Sequence, residues 1–135
     1  MTRAELNAVA ARAEKADAAE TREVLVAAWN ACQAGAVCPQ RDFYLDIDVA
    51  VSEGGEQRWG EFRRKLDAEA YVDAALMLVP DIGEIDGKRL DLHCFEKIAI
   101  ARCYSDMDTD HKARAATPAL AIVAAACRAL AEEIA

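Results

Sequence analysis

Asp106, Asp108 and Asp110 stand at alternate positions, the spacing of the first three ligands of a calcium-binding loop. The pattern stops there. His111 occupies the place of the turn glycine and Thr117 that of the bidentate glutamate, so the segment reads as a solvated loop. His93, Cys94, Cys103 and His111 offer zinc-ligand chemistry. However, His93 and Cys94 are adjacent on a strand-like run and point to opposite faces of it, and no C-x-x-C pair is present. Structural cysteines are the favoured reading. A nucleophilic cysteine needs a histidine and an orienting acid beside it. Only two histidines are present, and in Asp110-His111 the acid and base are sequence neighbours, a poor arrangement for a relay. The glycines at 54, 55, 60, 83 and 87 match neither G-x-x-x-x-G-K nor G-x-G-x-x-G, so no phosphate loop is recognisable.

One cationic group stands out. Arg58, Arg63, Arg64 and Lys65 surround Trp59 and Phe62. Arg58, Arg63 and Arg64 are the candidate contacts for an anionic, nucleotide-like ligand, against the plainer reading of a solvated helix face whose aromatics enter the core. Paired carboxylates such as Asp46 and Asp48 carry little weight in a chain this acidic. No cofactor is implied, and the reading is of a protein that is not an enzyme.

The elements that must position these residues follow from composition. The 135 residues suffice for a single domain, 1–135, and 54% of them are hydrophobic, enough to bury a core. Alanine supplies 31 positions and aromatics only 6%, which predicts a helix-rich core with short side chains. The net charge of −8 argues against direct nucleic-acid binding, which needs a basic surface. Five cysteines with no secretion signal at the N-terminus suggest reduced thiols and a cytosolic location, in the host cell if the protein is phage-borne. No stretch reaches the length of a membrane span. Acidity collects in two blocks: residues 41–56 carry five acids and one base, and residues 70–96 carry six acids and two bases. Asp42, Asp46, Asp48, Asp81, Glu84 and Asp86 within them are the candidate partner-binding residues, facing a basic host or phage protein.

Thr2-Arg3-Ala4-Glu5 is a capping box that opens a first helix to about Ala18, and a second helix runs from Thr21 to Gly35. Residues 43–51 satisfy both a strand period and a helical one, and the two readings stay open. Trp59, Phe62, Leu66, Ala70 and Ala74 predict one long helix to Val79, ended by Pro80. Ile82–Ile85, Leu90–Phe95 and Lys97–Tyr104 are expected as strands, with a hairpin turn at Asp86-Gly87 and the last strand covered on both faces. Residues 105–116 are expected as a loop. Thr117-Pro118 caps a final helix that is apolar all round over 119–126.

Two segments taken together, Tyr71 to Pro80 and Ala116-Thr117-Pro118-Ala119-Leu120-Ala121-Ile122, with strand-like residues between, resemble the phage ABA sandwich domain. The resemblance covers roughly residues 60–130. Its motifs are a helix running into a proline and a helix cap, so it implies architecture and a phage or prophage origin, not a reaction. Asp81-Ile82-Gly83-Glu84-Ile85 lacks the tryptophan that such domains carry on the first strand. The expected fold is α+β, a small antiparallel sheet of about three strands packed with helices, α-β-α sandwich-like. The leading expectation is a non-enzymatic phage accessory protein that binds a partner and antagonises a host defence system. A small-ligand binder and a structural or assembly protein of the phage are the alternatives, with oligomeric state left open.

Overall fold

The computed structural model describes residues 2–36, 60–79, 90–104 and 110–133. Helix α1, Arg3–Lys15, starts at the expected capping box: Thr2 Oγ1 accepts from the Glu5 amide and Glu5 Oε2 accepts from the Thr2 amide, each at 3.1 Å. A second capping box follows at once, with Asp17 and Glu20 exchanging the same pair of bonds at 3.2 Å around a 3-10 turn, Ala18–Glu20. The first helix therefore ends earlier than expected. The turn hands the chain to α2, Thr21–Ala36.

The long helix expected over 59–79 is in fact two. Residues 60–67 form α3 and Tyr71–Leu76 form α4. Between them Glu69 adopts φ 59°, the left-handed conformation. The Glu69 amide donates to the Leu66 carbonyl and the Ala70 amide donates to the Lys65 carbonyl. This is the helix-ending pair of bonds usually built on glycine. With glutamate in the glycine position, the break carried no sequence signal.

The sheet has the order β1-β2-β3, all antiparallel: β1 Leu90–Cys94, β2 Ala99–Tyr104 and β3 Asp110–Ala115. Residues Phe95 to Ile98 close the first hairpin, the Phe95 amide donating to the Ile98 carbonyl at 2.8 Å. The third strand corrects the loop expected over 105–116. In β3 the residues His111, Ala113 and Ala115 alternate with Lys112 and Arg114. That period is hidden because the inward residues are alanines, which neither favour strands nor stand out as hydrophobic. The expected strand Ile82–Ile85 and its turn lie outside the described residues.

Inward, Ala99, Ala101, Cys103, Ala113 and Ala115 are buried. Outward, the register aligns Asp91, Arg102 and Lys112 in one row and His93, Ile100 and Arg114 in the next. Ile98, Ile100 and Arg102 are half-buried, so β2 is fully covered on its inner face only.

Helix α5, Pro118–Glu133, takes the centre. Every residue from Ala119 to Cys127 is buried, at 2% exposure or less. The helix packs against all three strands and against α1, α2 and α4. Burial on all sides matches its lack of a polar face over this stretch. Polar groups return only at its end. Arg128 pairs with Glu14 of α1, and His111 Nε2 of β3 pairs with Glu132 Oε2 at 2.7 Å.

Alanines on α5 set how close its neighbours approach, so bulk added there has nowhere to go. Ala125→Leu is expected to cost about 2 kcal/mol or more. Ala8→Leu, at an exposed position of α1, should stay within about 0.5 kcal/mol of the parent protein. Urea unfolding of the two variants checks the contrast.

Candidate functional site

Two of the three sequence-selected arginines are described. Arg63 and Arg64 project from α3 and are exposed. The opposite face of α3 buries Phe62 and Leu66, and the Phe62 ring stacks on Trp29 of α2 with centroids 4.5 Å apart. The aromatic beside the arginines is thus a core residue. The flanking charges are engaged: Lys65 with Glu61 and Asp67 with Arg22 of α2, each at 2.8 Å. Arg58 lies outside the described residues, as do Asp42, Asp46, Asp48, Asp81, Glu84 and Asp86.

The structure also forms a cleft that the sequence did not announce. It has a volume of about 420 Å³ and lies where the start of α2, the α3–α4 break and the N-terminus of α5 meet. Thr21, Glu69, Tyr71, Asp73, Thr117 and Pro118 line it. The Thr117 hydroxyl is committed, accepting from the Leu120 amide at 3.2 Å. Glu69 and Asp73 make the lining anionic, and neither Arg63 nor Arg64 borders it. The arginines and the cleft are therefore separate features. The cleft suits a cationic or neutral molecule better than a phosphate. Its signal was absent from the sequence because it depends on the left-handed residue Glu69.

The zinc-type residues converge only in part. Register sets Cys103 opposite His111 on the inner face, while His93 and Cys94 are exposed on opposite faces of β1. Among the described residues no group of three or more His, Cys, Asp or Glu side chains is arranged to hold a metal ion. Asp110, the last of the calcium-type aspartates, opens β3, and Asp106 and Asp108 lie outside the described residues.

The cysteines are brought together in a way the sequence analysis missed. Cys32 of α2, Cys103 of β2 and Cys127 of α5 are buried in one core. A hydrogen bond with Cys32 is the main cause that raises the Cys127 thiol well above its ordinary ionisation range. Burial and the nearby Cys32 and Cys103 act in the same direction, and Arg128 opposes them. Cys32 continues the buried face Val24, Leu25, Ala28, Trp29 at helical spacing, so that part of the cluster was readable in the sequence.

Comparison of the chain with protein-family models, curated proteins and solved structures gives no match. No helix among the described residues is long and apolar enough to cross a membrane.

The raised thiol has a consequence for stability. In the unfolded chain a cysteine ionises near pH ~8.5, whereas Cys127 in the folded protein holds its proton to higher pH. Above that range the folded state binds more protons than the unfolded state, so stability falls as pH rises. This contribution is complete below the ordinary thiol range and is lost as pH approaches the raised value. Unfolding free energies from pH 7 to 10 should fall more steeply for the parent protein than for Cys127→Ala. Parallel profiles would contradict the assignment.

Proposed function

We propose that the protein acts by binding, as a non-enzymatic accessory protein of phage or prophage origin that antagonises a host defence system in the host cytosol. The observation that carries this reading is where the charge resides. The described residues are nearly balanced, with 14 acids and 12 bases. The segments 37–59, 80–89 and 105–109 between them hold ten acids against four bases. Acidity is thus concentrated in these three segments, while the described elements carry little net charge. Such a distribution favours a basic partner surface, for example the nucleic-acid channel of a nuclease, through long-range attraction. The resemblance over residues 60–130 supports the phage origin.

Small-ligand binding is the second reading and rests on the cleft beside Glu69. Its carboxylates favour a cationic or neutral ligand over a nucleotide.

The leading reading is tested by capture from host lysate at low and high ionic strength, with the parent protein and with the triple variant Asp42→Asn, Asp46→Asn, Asp48→Asn. A nuclease or comparable basic effector should be retained at low salt, released at high salt, and lost in the variant at unchanged melting temperature. Retention that is indifferent to both salt and substitution contradicts an electrostatic docking role.

A further inference from the structure

The cleft beside Glu69 discriminates by charge. Its volume of about 420 Å³ falls among those of small-molecule sites, about 300–1,000 Å³. Ala70, Tyr71, Val72 and Pro118 give it a largely apolar lining, and its charged residues are Glu69 and Asp73 alone. These two carboxylates differ from others on the helices. Glu14, Glu23, Glu61 and Asp67 each pair with an arginine or a lysine, whereas among the described residues the Glu69 and Asp73 side chains have no such partner. Glu69 also holds its carboxylate there from a left-handed backbone, φ 59°, which glycine adopts at less steric cost.

The helix ends that meet at the cleft offer little to an anion. Pro118 has no amide, the Leu120 amide donates to Thr117 Oγ1 and the Ala121 amide to the Thr117 carbonyl. At the start of α4, Asp73 already stands in the first turn. A metal ion fits no better, since no group of three or more His, Cys, Asp or Glu side chains converges among the described residues. Two carboxylates beside an aromatic ring suit an organic cation instead.

We propose that the cleft binds a small organic ammonium ion with an apolar body, an assignment that rests on the small-ligand reading of the cleft and deepens it. Glu69 and Asp73 attract the charged head, and the Tyr71 ring adds a cation–π contact. The apolar body lies against Val72 and Pro118, which are in the same lining. Bound in this way, the ligand supplies the positive partner that both carboxylates lack among the described residues.

The experiment compares three probes that share one ring and differ in charge: benzylamine, protonated at neutral pH, benzyl alcohol and benzoate. Each is titrated into the full chain while the amide resonances of residues 69–73 and 119–121 are followed by NMR. Benzylamine should move them saturably and with the highest affinity, and its affinity should fall with added salt while that of benzyl alcohol does not. Glu69→Gly removes a carboxylate and installs the residue that the left-handed backbone favours. It should weaken benzylamine about threefold or more at a melting temperature equal to or above the parent's. Asp73→Asn should weaken it to a similar degree. Glu96→Gln, which removes the same charge from the first hairpin, outside the cleft lining, should leave the affinity unchanged. Benzyl alcohol or benzoate binding at these amides as tightly as benzylamine overturns the ammonium assignment and leaves the cleft a ligand site. Titrations in which no probe moves these amides overturn the small-ligand reading as well. The probe order and the salt dependence are read on the parent protein, so they decide the matter even if a variant fails to fold.

Discussion

Close packing of α5 against both the sheet and the helical layer is the constraint on which the rest of the structure depends. Burying a methyl group yields only about 0.8 kcal/mol, so a core lined by alanine gains little from any one side chain. Its stability has to come from many short contacts made at close range, and the dispersion between them falls off steeply with separation. Ala119, Ala121, Ala124, Ala125, Ala126, Ala129 and Ala131 on α5 meet Ala99, Ala101, Ala113 and Ala115 of the sheet and Ala10 and Ala13 of α1 within one continuous core. Larger side chains share that core: Leu6, Leu25, Phe62 and Leu66, and Leu120, Ile122 and Val123 of α5 itself, are among its largest fully buried residues.

Close approach explains several other features. Helices packed this tightly leave little room for long ends, and the chain supplies two capping boxes, which start α1 and the turn into α2, and a left-handed residue that ends α3. It also brings cysteines from three elements into one core. A thiol there behaves as a small hydrophobe, and the same closeness holds the thiol of Cys127 against that of Cys32. Polar chemistry is displaced to the perimeter. The Arg128–Glu14 pair at the end of α5, the anionic cleft near its start and the charged outer face of the sheet all lie around the alanine core.

Much of the helical structure was legible in the sequence, because caps and apolar periods are local. Thr2-Arg3-Ala4-Glu5, Thr117-Pro118 and the all-apolar run after Pro118 each predicted what the structure contains. The errors have physical reasons. Glu69 takes a conformation normally left to glycine, so α3 and α4 read as one helix. The strand Asp110–Ala115 buries Ala113 and Ala115 beside a half-buried His111, so its alternation lacked the branched residues by which strands are recognised. Of the candidate site residues, Arg63 and Arg64 are exposed as a ligand contact would require, yet they are apart from the cleft. The cleft arises from three elements distant in sequence, which no local motif encodes.

Amide hydrogen exchange under native conditions tests the central role of α5 most directly. If the core is organised around that helix, the amides of residues 121–131 open only when the whole molecule unfolds. Their exchange free energies should then equal the global unfolding free energy, with α1, α2 and the strands opening at or below that value. Slowest exchange in α1 or α2, with α5 opening at lower free energy, would contradict the account.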